Sequence, residues 1–145
     1  MAQESPLIHW GWGISGFDAR NSTYSGSTRS GPNGSGQFLA VQLSTSADLT
    51  VNVTTVAGMK ILGILQNKPS TGIAADVGIV GMSKAVAGGT IGAGAELAAS
   101  STAAGSLIAF SSATGIYPVG RSLQSATVGQ IFDAYIYGGG GSGGL

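Results

Sequence analysis

The run Leu49-Thr-Val-Asn-Val-Thr-Thr-Val56 restricts this chain more than any other segment: Leu49, Val51 and Val53 alternate with Thr50, Asn52 and Thr54. Only a pleated strand puts such a set on one side, because successive side chains of a strand point to opposite faces, whereas a helix would scatter them. The β-branched residues of the run favour the same geometry. A strand that is apolar on one face needs a second layer, or a sheet that closes on itself, to cover that face.

Similar segments lie at 37–43, 60–66, 74–81, 83–87, 107–111, 119–123 and 130–137. Turn signals separate them: Asn67-Lys-Pro-Ser-Thr-Gly72, Gly88-Gly89, Gly92-Ala-Gly94, Thr114-Gly115 and Gly129. Many short strands joined by Gly-rich turns predict an all-β domain, an antiparallel barrel or sandwich, over residues 37–138. The stretch 93–105 admits two readings. Glu96-Leu-Ala-Ala99 suits a helix by propensity, and the stretch also suits a strand followed by a loop. One short helix would leave the fold class unchanged.

The sequence echoes itself. Gly63-Ile-Leu-Gln66, a turn through Gly72, and Asp76-Val-Gly-Ile-Val-Gly81 resemble Gly120-Arg-Ser-Leu-Gln124, a turn through Gly129, and Asp133-Ala-Tyr-Ile-Tyr-Gly138. The echo predicts two similar hairpins, each returning with its Val/Ile/Tyr face buried. Two copies are too few for a solenoid, which needs about three stacked units.

Residues 1–36 read as an extended N-terminal arm. Ser, Gly, Thr, Asn and Arg dominate 15–36, broken only by Phe17 and Tyr24, and no apolar period runs through them. Ahead of this lies Leu7-Ile-His-Trp-Gly-Trp-Gly-Ile14, which holds both tryptophans. On an extended strand, Trp10 and Trp12 point to one face, as interface anchors do. The segment either folds back as a further strand on its own domain or docks on another molecule. Residues 139–145 are a Gly-rich tail, which would order only against a neighbour because glycine loses most freedom on ordering.

The chemistry of catalysis is thin. The chain has a single histidine, His9, placed between Ile8 and Trp10 where packing or a hydrogen bond to a neighbour suits it best. The six acidic residues, Glu4, Asp18, Asp48, Asp76, Glu96 and Asp133, stand apart and form no acid–base or metal-binding spacing. Gly-rich runs occur at 11–16 and 88–94, but neither ends in Gly-Lys-Ser/Thr, and no serine sits in a nucleophile-elbow context. The expectation is a protein that is not an enzyme and uses no cofactor or metal.

Only 8% of the residues are charged, against a typical ~25%, and the formal net charge is zero. A neutral surface lacks the basic footprint of a nucleic-acid binder and does not repel copies of itself. Without cysteine there are no disulfides, so packing and association must supply stability. No apolar run approaches the ~20 residues that span a bilayer, and no secretory signal opens the chain. The expected site of synthesis is therefore the cytoplasm, with no membrane partner. The three Asn-X-Ser/Thr triplets, at Asn21, Asn33 and Asn52, read as chance matches.

Between about Gly58 and Gly138 the order of motifs resembles that of the small bacteriophage capsid decoration proteins, also called cement or head-stabilising proteins. The residues that carry the likeness are Ile61-Leu-Gly-Ile-Leu-Gln-Asn-Lys-Pro69, Gly72, Val77-Gly-Ile-Val-Gly81, Ser83-Lys-Ala-Val-Ala-Gly-Gly-Thr-Ile-Gly-Ala-Gly94 and Pro118-Val-Gly-Arg-Ser-Leu-Gln124. The resemblance implies a compact β-barrel-like or β-tulip-like domain, commonly a homotrimer, on the outside of an icosahedral shell. It also implies an arm that contacts the major capsid protein, cross-linking and stabilising the virion in the host cytoplasm. The partner-binding residues expected from this reading are Ile8, Trp10, Trp12, Phe17 and Tyr24. Two rival functions remain: a phage tail or head-fibre module that binds a host surface, and a small β-barrel enzyme.

Overall fold

The computed structural model describes residues 11–18, 37–45, 50–68, 74–112 and 116–137. The described residues form nine strands and no helix: β1 (Gly11–Asp18), β2 (Ala40–Leu43), β3 (Val51–Val53), β4 (Gly63–Leu65), β5 (Ala74–Val86), β6 (Glu96–Ala99), β7 (Leu107–Ala109), β8 (Gly120–Ser122) and β9 (Ile131–Ile136). The fold is all-β. Every ladder between these strands is antiparallel. They make one sheet in the order β3-β2-β4-β5-β9-β8-β6-β7, with β1 added along β5.

The sheet curls until its ends approach its middle. Ala87, just past β5, bridges Leu107 of β7 in parallel, and the Gly88 N–H donates to the Leu107 carbonyl at 2.7 Å. Ala40 N–H likewise donates to Gly105 C=O at 2.7 Å. These bonds satisfy backbone groups that an open sheet would leave at its edge.

Two local readings of the sequence are settled here. Segments 74–81 and 83–87 join in the single strand β5, with Gly81 inside it at a φ of 108°. The stretch 93–105 contains strand β6 rather than a helix. Leu97, Ala98 and Ala99 pair with Ala109, Ile108 and Leu107, and burial together with ladder bonds overrides the helix propensity of alanine.

The self-echo proves to be a duplication of the whole β domain. Val41↔Val53, Gln42↔Asn52 and Leu43↔Val51 in β2–β3 recur as Leu97↔Ala109, Ala98↔Ile108 and Ala99↔Leu107 in β6–β7. Ala40↔Ile64 and Val41↔Gly63 recur as Glu96↔Arg121 and Leu97↔Gly120. Ile64↔Gly78 and Leu65↔Val77 recur as Arg121↔Tyr135 and Ser122↔Ala134. Loop bonds repeat as well. Ser44 N–H donates to Thr50 C=O and Ser100 N–H to Ser106 C=O; Gln66 N–H donates to Asp76 C=O and Leu123 N–H to Asp133 C=O. The strand order is therefore a palindrome, with β5 and β9 paired at its centre.

Both halves bury the same register face, and the first half buries the opposite face as well. In the first half, Val41, Val51, Val53, Leu65, Ala75 and Val77 form one core cluster, completed by Leu39 and Val86. Ala40, Ile61 and Ile64 belong to a second cluster with Leu97, Leu107, Val119, Phe132, Ala134 and Ile136 of the second half. Strand β4 is consequently buried along its whole length. In the second half that opposite face is open to solvent at Arg121 and Tyr135, with Ala98 of β6 a buried exception.

Candidate functional site

The uncovered face spans β6, β8, β9 and β5. Glu96 is the register partner of Arg121, Arg121 of Tyr135, and Tyr135 of Met82, so one row of side chains crosses four strands on one side of the sheet. Lys84 and Asp133 pair in the next row. Alternation places these side chains outward because Phe132, Ala134 and Ile136 occupy the buried positions of β9. The expectation that the tyrosines share the buried face is therefore corrected. Tyr135 lies on the opposite side from the wholly apolar Phe132-Ala134-Ile136 set and is 44% exposed.

The face combines apolar groups with paired charges. Met82 is 60% and Leu123 47% exposed. The Tyr135 and Tyr137 rings meet with centroids 6.2 Å apart, tilted by 57°, a geometry that aromatic pairs favour. Lys84 Nζ lies 3.3 Å from Asp133 Oδ1, and Arg121 Nη2 3.7 Å from Glu96 Oε1. Each cation has an anion on the neighbouring strand, so the patch is locally neutral. Both pairs are half exposed and add little to stability. Their consequence is electrostatic pattern. A smaller aromatic feature stands elsewhere, where Lys60 Nζ sits 4.8 Å from the centre of the Tyr117 ring.

Of the residues expected to bind a partner, Trp12 and Phe17 fall in β1, where their register partners on β5 are Val80 and Ala75. Of the two locations considered for the tryptophan segment, Gly11–Asp18 thus takes the one on its own sheet. Ile8, Trp10 and Tyr24, like His9, lie outside the described residues. Among the described residues, no three His, Cys, Asp or Glu side chains gather as metal ligands would, and no helix is long and apolar enough to cross a membrane. The sequence reading did not single out Glu96, Arg121 and Tyr135. The available signal was the period-two pattern Asp133, Tyr135, Tyr137, interleaved with Phe132, Ala134 and Ile136.

No protein-family model matches the chain, and no curated protein matches it. Among solved structures, it is similar to the N base of the head fibre protein gp8.5 of bacteriophage phi29, with a TM-score of 0.62. The two share 13% sequence identity, and the match covers 88% of this chain and 97% of the phi29 chain. The likeness is one of fold, extending over nearly all of both molecules.

Proposed function

We propose that this protein is a structural component of a bacteriophage head, attached to the capsid from outside, with a mechanical rather than catalytic role. The observation that carries the proposal is the near-complete overlap with the base of a phage head fibre. The resemblance of motifs between Gly58 and Gly138 to capsid decoration proteins arises separately and points to the same class. The composition agrees, because a weakly charged chain with no net charge packs densely on a shell without self-repulsion.

Two roles follow from that attachment. A decoration protein cross-links major capsid subunits, and a fibre base anchors a distal element. In both, capsid contact is assigned to the region around β1, with Ile8 and Trp10 before it, Trp12 and Phe17 within it and Tyr24 beyond it. An added strand and its flanks gain main-chain bonds while alternate side chains fill pockets.

The test is reconstitution on phage heads that lack the protein. Saturable binding to the heads supports the proposal, and failure of the folded chain to co-sediment with any head overturns it. A Trp10→Ala/Tyr24→Ala variant with unchanged melting should bind at least about tenfold more weakly. Bound heads that resist heat better than bare ones indicate the cross-linking role; unchanged heads indicate the fibre-base role.

A further inference from the structure

We propose that the outward strip of β8, β9 and β5 binds a neutral carbohydrate chain, with Tyr135 as a stacking platform and the Lys84–Asp133 pair as a clamp for hydroxyls. The curl of the sheet sets the size of this strip. Ala87 bridges Leu107 in parallel and Gly88 N–H donates to Leu107 C=O, so β7 returns to the end of β5, and the outward side chains of β6 and β5 turn away from each other. Three adjacent strands still face one way, with Arg121 on β8, Tyr135 and Asp133 on β9, and Met82 and Lys84 on β5. Strands stand about 4.8 Å apart and outward side chains recur about every 6.8 Å, so the strip is about 10 Å across and about 14 Å long from Asp133 to Tyr137. A stable protein contact covers about 800 Å² on each partner, several times this area, and would dehydrate the ion pairs. A short saccharide fits the area and leaves the pairs hydrated.

A pyranose ring has an apolar C–H face and a rim of hydroxyls, and the strip offers a complement to each. Tyr135 and Met82 are register partners, both well exposed, and supply apolar surface for the ring face. The face of an aromatic ring is its negative side and attracts polarised C–H groups. The Tyr137 ring, tilted by 57° at 6.2 Å, bounds one side of the platform. Lys84 Nζ and Asp133 Oδ1 stand 3.3 Å apart, a spacing at which one hydroxyl accepts from the ammonium and donates to the carboxylate. Hydrogen bonds to charged groups are the stronger kind, so a ligand hydroxyl competes with water there. Charge selects the class of saccharide. Each cation of the strip has its own anion, Lys84 with Asp133 and Arg121 with Glu96, which leaves no unpaired positive charge for a phosphate, sulfate or carboxylate.

The other half shows that the fold does not require these groups. The register counterparts of Tyr135 and Tyr137 are Gly78 and Val80, and that of Arg121 is the buried Ile64. The aromatic strip therefore belongs to the second half alone, on a backbone that forms without it in the first. Its role is additional to head attachment. On a shell that carries many copies, which rests on the attachment proposed above, avidity raises a weak single-site affinity by about 10²–10⁴ and holds the particle at a carbohydrate surface.

The experiment titrates the free full chain, so its outcome is independent of head binding. Maltohexaose, mannohexaose and chitohexaose are the neutral probes and a hyaluronate hexasaccharide the acidic one, each followed by amide NMR shifts. At least one neutral probe should shift amides of β8, β9 and β5 with a dissociation constant of about 10 mM or tighter. Tyr135→Ala and Asp133→Ala should each weaken that binding by about tenfold or more, with unchanged melting. Tyr117→Ala removes the exposed tyrosine beside Lys60 and should leave the affinity within about twofold. No binding of any neutral probe at that concentration, tighter binding of the acidic probe, or binding indifferent to Tyr135→Ala would each overturn the proposal. So would loss of head binding by the folded Tyr135→Ala chain, because the strip would then be covered on the shell.

Discussion

Arg121 and Glu96 pair across β8 and β6 at 3.7 Å in solvent, in the register position that Ile64 and Ala40 hold, fully buried, across β4 and β2. The same backbone therefore carries a charged pair where it meets water and an aliphatic pair where it meets the rest of the chain. Duplicated units commonly differ in this way at a terminal face, since whatever lies outward must tolerate solvent.

Exchanging the two environments should give opposite results. Arg121→Ile removes a half-exposed charge and should change stability by no more than about 0.5 kcal/mol. Ile64→Arg places a cation in a core with no anion beside it and should cost about 4 kcal/mol or more, enough to unfold a domain of ordinary stability. Urea denaturation of both variants checks the pair, and comparable losses would refute the assigned burial.

The shared glycines of the echo have one cause. A β-carbon at Gly63 would run into the Gly78 carbonyl oxygen, and one at Gly120 into the Tyr135 carbonyl oxygen, which are register-equivalent atoms. Gly63→Ala and Gly120→Ala should each lower stability by about 1–3 kcal/mol through forced backbone shifts. Gly92, whose added carbon would meet nothing within 4 Å, is the control. Gly92→Ala should be neutral or stabilising by about 0.5 kcal/mol, by restricting the unfolded chain. Equal effects at all three sites would remove the close-approach explanation.

Strand β1 supplies a separate measurement. It pairs with β5 from Gly11↔Gly81 to Asp18↔Ala74, so a chain lacking residues 1–18 loses a ladder as well as a terminus. Its urea midpoint should fall by an amount equivalent to about 1–3 kcal/mol. An unchanged midpoint would show that this ladder contributes nothing and that the segment is reserved wholly for a partner.

Much of this architecture was legible in the residues, and the failures have physical reasons. The alternation at 49–56 and the glycines between segments sufficed for the all-β class, because they report local geometry. The hairpin echo was visible through Gly63, Asp76, Gly120 and Asp133, where the backbone constrains the side chain. The β2–β3 and β6–β7 pairs escaped notice, since Gln42↔Asn52 has become Ala98↔Ile108 and little but size and register persists. The exposed face was hidden for another reason. Tyr135 is apolar enough to be taken for core, and only the completed sheet shows which of two alternating sets is covered.

Phe38 offers the sharpest test of the duplication. Its φ of 67° lies in the left-handed region, which a bulky side chain rarely enters, and its register counterpart Gly94 has a φ of 79°. Both positions make the same bond: Phe38 N–H donates to Leu65 C=O at 2.8 Å and Gly94 N–H to Ser122 C=O at 2.9 Å. The turn demands this conformation in each half, and only the second half meets it with the residue suited to it. Phe38 persists because its ring packs against both core clusters. Removing the ring in Phe38→Gly relieves strain of about 1 kcal/mol. It also forfeits about half of the 3–5 kcal/mol typical of a deleted buried phenylalanine, because the ring is only partly buried. The net expectation is a loss of about 0.5–1.5 kcal/mol. At Gly94 an added carbon meets nothing within 4 Å, so Gly94→Ala gains no packing and should lose about 1 kcal/mol from backbone strain alone. Denaturation midpoints decide the matter: a stabilised Phe38→Gly would mean that strain outweighs packing at the junction of the clusters, and a neutral Gly94→Ala would mean that the turn does not require the left-handed residue that both halves share.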